Sequence, residues 1–187
     1  ALLWELKALR LQPDVISYNA SISACEKFRE WTQALQLLTD MAAVRVDADR
    51  VTCNAAISSC GGTGQALQLL NEMERASIEA DIITYNASIS ACEKGGLWAR
   101  AMELMADVRH SRLQPSVTTF NTCAGALAGG RQWAPALRLL EEMGMAALEP
   151  EVLTHSFALA ACWAGVRPAP APWLTERAQQ SATGLIK

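Results

Sequence analysis

Apolar side chains recur along this chain at spacings that place them on one side of a helix. Trp31, Ala34, Leu35, Leu37, Leu38 and Met41 form one such stripe, which returns at Trp98, Ala101, Met102, Leu104 and Met105 and again at Trp133, Ala136, Leu137, Leu139, Leu140 and Met143. Steps of three and four residues mark an amphipathic helix. Ahead of each stripe lies a second helical pattern. In its first copy Tyr18, Ile22 and Cys25 are the apolar positions, while Ile16, Ala20, Ser23 and Lys27 trace another face. One pair of amphipathic helices cannot bury both of its apolar faces, so the pattern predicts helix pairs stacked on their neighbours.

The pattern is a true repeat. Ten residues, YNASISACEK, occur at Tyr18 to Lys27 and again at Tyr85 to Lys94. Aligning on that core pairs Tyr18-Asn19, Cys53-Asn54, Tyr85-Asn86 and Phe120-Asn121, with His155-Ser156 as a decayed fifth copy; successive intervals are 35, 32, 35 and 35 residues. A period in this range signals a solenoid of supersecondary units. The predicted fold is therefore all-α, an α-solenoid of antiparallel helix pairs, with the superhelical hand left open. The units run 15–49, 50–81, 82–116, 117–151 and a partial one from 152, after the end of a preceding repeat at 1–14. Proline closes units at Pro13, Pro115 and Pro150, where it stops a helix, and Asp or Ser beside it suits the next N-cap. Gly95-Gly96 and Gly129-Gly130 mark turns inside units. In the second unit three residues are missing around Gly61-Gly62-Thr63-Gly64, a deletion expected to shorten the inter-helix connection and the start of the second helix.

Composition narrows the function classes. A net charge of −3 and a pI near 5.4 argue against coating nucleic acid by charge alone. The longest nearly unbroken apolar run, Phe157 to Val166, is too short for a membrane span. Cys25, Cys60, Cys92 and Cys162 hold the same place in their units. Stacked helices lie about 10 Å apart, too far for equivalent cysteines to share a zinc ion, so the cysteines are read as reduced core residues and no metal or cofactor is expected. The repeating tryptophans are read as packing anchors. His110 and His155 sit in no catalytic arrangement, Gly61 to Gly64 lacks the phosphate-loop pattern, and no deaminase-type zinc signature occurs. The chain is read as a non-enzyme.

The motif from Val15 to Asp49, with Tyr18, Asn19, Ile22, Cys25, Lys27, Ala34, Leu35, Leu37, Leu38 and Met41, resembles the pentatricopeptide repeat. The tetratricopeptide signature, with its Trp and Leu-Gly on the first helix, is absent. The resemblance covers nearly the whole chain and implies modular reading of single-stranded RNA at about one base per repeat. It implies that each base is read by the asparagine near the head of the first helix together with the closing residue of the repeat: Asn19 with Asp49, Asn54 with Asp81, Asn86 with Ser116, and Asn121 with Glu151. An Asn–Asp pair would prefer uridine and an Asn–Ser pair cytidine, giving a pyrimidine-rich, UUC-like site; Glu151 leaves the fourth base unassigned. Ile16, Val51, Ile83 and Thr118 would flank the bases, and Lys27 and Lys94 would face phosphates. The resemblance also implies a chloroplast or mitochondrial protein acting in RNA processing, stability or translation. No targeting segment is visible, so one, if it exists, lies outside these 187 residues, as further repeats are expected to.

Bland readings stand beside these. The asparagines could form a structural ladder between repeats, and Asp14, Asp49 and Asp81 could be N-caps. The acidic charge and thin supply of phosphate-facing lysines keep open a second class, a helical-repeat scaffold or structural subunit that holds proteins in a larger assembly. The segment from Arg167 to Lys187, with Pro168, Pro170 and Pro172, is expected to form a cap or a docking arm.

Overall fold

The structure is a computed structural model, and it describes residues 13–28, 30–60 and 63–164. Most of the expected preceding repeat, the Gly61-Gly62 turn and the C-terminal cap or arm lie outside those residues. Among the described residues there are nine helices: α1 Val15–Phe28, α2 Trp31–Ala43, α3 Arg50–Ser59, α4 Thr63–Arg75, α5 Ile82–Lys94, α6 Trp98–His110, α7 Val117–Gly129, α8 Trp133–Met145 and α9 Val152–Ala164. This is the all-α helical-repeat architecture that the periodicity predicts. None of these helices is long and apolar enough to cross a membrane.

The chain divides into two compact units, Ala1–Ala91 and Cys92–Lys187, with the division inside α5. In the first, α1 packs on α2 and on α3, and α3 packs on α2 and α4. Tyr18, Ile22, Met41 and Ile57 are almost completely buried, and Ala34, Ala56 and Ala66 let the helices approach closely between them. In the second unit α7 packs on α6, α8 and α9, and α9 also packs on α8. Leu104, Met105, Leu127, Leu139 and Met143 fill its interior. The stripes therefore meet across helix pairs, and first helices stack on first helices.

Second helices end by one device. After α2, α4, α6 and α8 the backbone turns left-handed at Arg45, Ser77, Arg112 and Ala147, with φ between 54° and 58°. The next amide then bonds back to the helix, as in Val46 N–H to Met41 O (3.0 Å) and Leu148 N–H to Met143 O (3.0 Å). This is the Schellman closure, in which the residue after the left-handed one is commonly apolar; Val46, Ile78, Leu113 and Leu148 hold that place here. A non-glycine residue in this conformation is strained by roughly 1 kcal/mol.

The shortened second unit differs from expectation. Helix α4 keeps a full 13 residues, like α6 and α8, whereas α3 has 10 against 13 in α5 and α7. The deletion removes the last turn of the first helix and spares the start of the second. The physical reason is that the stripe Ala66, Leu69, Leu70 and Met73 must stay in register to be buried, and the end of α3 is the segment that can be lost without shifting it.

Candidate nucleic-acid interface

At the heads of α1, α3, α5 and α7 the closing residue of one repeat is a helix cap. Asp14 accepts from the Ser17 amide at 2.9 Å, Asp49 from the Thr52 amide at 2.8 Å, and Asp81 from the Thr84 amide at 3.0 Å. In return the amides of Asp49 and Asp81 donate to the hydroxyls of Thr52 (3.2 Å) and Thr84 (3.1 Å), which completes a capping box. Ser116 and Thr119 form the same box, with Ser116 N–H to Thr119 Oγ1 at 3.1 Å. The cap follows from residue type: a short acceptor at the cap and a hydroxyl three residues on satisfy backbone donors that the helix leaves free.

The same carboxylates hold the asparagines one repeat back. Asn19 Nδ2 donates to Asp49 at 3.2 and 3.3 Å, and Asn54 Nδ2 donates to Asp81 Oδ1 at 3.2 Å. In the fourth repeat Asn121 Nδ2 donates to Glu151 Oε2 at 3.3 Å. Capping and pairing thus coexist in one carboxylate. Arg50 adds a contact specific to the second repeat, with Nε 3.2 Å from Asp81 Oδ2.

The charge state follows. Burial pushes the Asp49 and Asp81 carboxyls up, but the bonds from the Thr52 and Thr84 amides and hydroxyls and from Asn19 and Asn54 outweigh it, and both groups are held below the ordinary 3.8. Asp14 is likewise lowered, chiefly by the Ser17 hydroxyl. All three are anionic at neutral pH.

The threonines were not singled out from sequence. Thr52, Thr84 and Thr154 are fully buried, and each donates its hydroxyl to the asparagine of the preceding repeat: Thr52 to Asn19 Oδ1, Thr84 to Asn54 Oδ1 at 2.6 Å, and Thr154 to Asn121 Oδ1. The signal was present, because Ser17, Thr52, Thr84, Thr119 and Thr154 all stand two positions before the asparagine column. Asn19, Asn54, Asn86 and Asn121 are all half-buried. Asn86 Oδ1 is buried without a hydrogen-bond partner among the described residues, so the third asparagine lacks the hydroxyl bond that Asn19, Asn54 and Asn121 accept.

The expected base-flanking residues stand out in solution. Ile16 is 75% exposed, and Val51 and Ile83 are each 58% exposed. Thr118 is exposed as well, and Leu153, at the same place in the fifth copy, joins the series. Lys27 and Lys94 are exposed at the ends of α1 and α5. The closing residues are carboxylates at Asp14, Asp49 and Asp81 in the first unit and at Glu151 in the second.

The cysteines belong to the core. All six are free and buried. Burial pushes the Cys53 and Cys60 thiols up to about 11 and Cys123 to about 12. Among the described residues no cluster of three or more His, Cys, Asp or Glu is arranged to hold a metal ion.

The family description for the pentatricopeptide repeat domain matches residues 1–63 and 68–131, about two-thirds of the sequence. The chain belongs to the pentatricopeptide repeat family, and its fold is a helical-repeat solenoid of that kind. Among solved structures it is similar to the maize pentatricopeptide repeat protein PPR10, with a TM-score of 0.76 at 23% identity over 88% of this chain and 24% of that one. A structure of PPR10 in complex with an 18-nt psaJ RNA element matches with a TM-score of 0.75 at 20% identity, over 99% of this chain and 25% of that one. The pentatricopeptide domain of Arabidopsis thaliana protein-only RNase P 1, in complex with tRNA, matches with a TM-score of 0.70 at 11% identity, over 88% of this chain and 96% of that one. The chain spans about a quarter of the length of the maize structures. No curated protein matches the sequence.

Proposed function

We propose that this chain binds single-stranded RNA without catalysing a reaction, reading about one base per repeat at a pyrimidine-rich, UUC-like site. One observation carries the reading: a half-buried asparagine, paired with the closing carboxylate of its repeat, recurs beside an exposed aliphatic side chain. Asn19 with Asp49 and Ile16, and Asn54 with Asp81 and Val51, are the two most complete examples. The amide offers a donor and an acceptor to a base edge, and the aliphatic group offers a surface to the base face. Similarity to solved structures that contain RNA supports the same reading. The family further suggests a role in RNA processing, stability or translation in a chloroplast or mitochondrion.

A second reading, a protein-binding scaffold, is favoured by the closing carboxylates and the net charge of −3. Fluorescence anisotropy of a labelled UUC-containing single strand separates the two. Its controls are a scrambled and an AAG-containing strand, each at two salt concentrations because phosphate contacts are salt-dependent. Preference for UUC supports RNA reading; no binding at low salt refutes it and leaves the scaffold.

A further inference from the structure

The ladder of hydrogen bonds does more than cap helices. We infer that the buried threonine at the heads of α3, α5 and α9 is a positioning residue that fixes which way the reading amide of the preceding repeat faces, so that base selection by that repeat is completed by the next. The inference rests on the RNA-reading proposal above and assigns Thr52 to Asn19, Thr84 to Asn54 and Thr154 to Asn121.

Counting protons fixes the orientation of the amide. An asparagine side chain can be turned by 180° about its last bond with little change in shape, exchanging a donor for an acceptor. At Asn54 the exchange is blocked on both sides. The Asp81 carboxylate is anionic and only accepts, so the group 3.2 Å from it must be the NH2. On the other side Thr84 Oγ1 already accepts the Asp81 N–H at 3.1 Å, and its one hydrogen must be donated. Two acceptors are in reach: Asn54 Oδ1 at 2.6 Å, and Asp81 Oδ1 at 3.0 Å, which already accepts from the Thr84 amide and from Asn54. The shorter bond, to an oxygen with fewer donors, takes the proton. The amide is then locked with its NH2 toward the closing carboxylate and its oxygen toward the next repeat. Asn19 with Asp49 and Thr52 repeats the arrangement, and Asn121 with Glu151 and Thr154 repeats its two side-chain links.

The lock has a consequence for recognition. One N–H of the amide and one lone pair of its oxygen remain for a base, in a fixed order along the row. Uridine presents acceptor, donor, acceptor along its pairing edge, whereas cytidine presents acceptor, acceptor, donor. An amide held in one orientation meets these edges unequally; one free to turn meets either order. Removing the hydroxyl should therefore erode discrimination more than affinity.

The test uses the 187-residue chain, with strands in which the base assigned to the second repeat is U, C or A. Thr84→Val keeps the size and loses the donor, and Thr84→Ser restores the donor. The inference expects the U-over-C binding ratio at that position to fall about fivefold to tenfold in Thr84→Val, the worth of one hydrogen bond. Thr84→Ser should recover it, and the base assigned to the first repeat should be read as before. A merely structural role would weaken all three strands alike. If Thr84→Val is poorly folded by circular dichroism, the nitrogen-15 NMR signal of the Asn54 side chain in Thr84→Ser and the parent chain supplies the second readout, and protection of its NH2 from solvent exchange is expected in both. A wild-type U preference that survives unchanged in a folded Thr84→Val overturns the inference alone, as does an unprotected Asn54 NH2. Absence of any base preference in the parent chain overturns the RNA-reading proposal and this inference with it.

Discussion

Gly129 and Gly130 are adjacent and look interchangeable in sequence, yet the structure gives alanine at the two sites opposite effects. A Cβ on Gly130 would lie 2.3 Å from Trp98 Cδ1, 2.6 Å from Cγ and 2.9 Å from Cβ. Ordinary contact begins near 3.4 Å, so the indole or the α7 terminus must move by about 1 Å, and a ring anchored through its own Cβ cannot swing its end away. Overpacking of this kind costs about 1–3 kcal/mol. Gly130 has φ −79°, so the cost is close approach and not backbone conformation. A Cβ on Gly129 meets nothing within 4 Å. Gly129→Ala should therefore stabilise by about 0.4–1 kcal/mol, by restricting the unfolded chain. Thermal melts followed by circular dichroism, at about 2–4 °C per kcal/mol for a chain of this size, resolve the opposite signs. Trp98→Leu should make Gly130→Ala less costly than in the parent, a coupling that a double-mutant cycle measures. Equal melting of the two alanine variants, or additivity with Trp98→Leu, would refute the packing argument.

Other consequences are directly measurable. Ser77→Gly should raise the melting temperature through relief of about 1 kcal/mol of left-handed strain, and a lowered melting temperature would argue against the φ of 57° at that residue. The buried thiols of Cys53, Cys60 and Cys123, with values of about 11 to 12, should react with a thiol reagent at pH 8 only after denaturant is added; rapid labelling of the native chain contradicts their burial. Asp49 and Asp81 have folded values below 3.8. Their contribution is thus fully present above the unfolded value and lost as pH falls through the folded one. The stability these two carboxylates contribute should therefore be lost as pH falls below the ordinary carboxylate value of 3.8, and Asp81→Asn should flatten part of that acid decline.

The parts of the molecule written in spacing were legible in the sequence. The 35-residue interval and the stripes such as Trp98, Ala101 and Met105 predict helix pairs because burial of one face imposes the helical period. The Asn–Asp columns were legible only through the family resemblance, since Asn19 and Asp49 are 30 residues apart and no periodicity joins them. Thr52 and Thr84 stand in a hydroxyl column two positions before the asparagines, but that column does not say what it bonds, because each partner lies a repeat away. The left-handed residue after α7 is Arg131, with φ 55°, and not a glycine, so the glycine pair marked the turn correctly while its physical reason, contact with Trp98, is visible only in three dimensions. The position of the three-residue deletion was likewise hidden, because the sequence shows a length change but not which helix end can yield without unburying Ala66 or Met73.

The central claim is that the closing residue of a repeat helps select a base, and exchanging that residue tests it most directly. Asp81→Ser keeps a capping oxygen, as Ser116 does naturally at the head of α7, while replacing a carboxylate by a hydroxyl beside Asn54. Competition between UUC and UCC strands for the parent chain and for Asp81→Ser should show UUC preferred by the first and UCC gaining on it in the second. An unchanged ranking in a folded variant, or a parent chain that binds neither strand at low salt, would contradict the account.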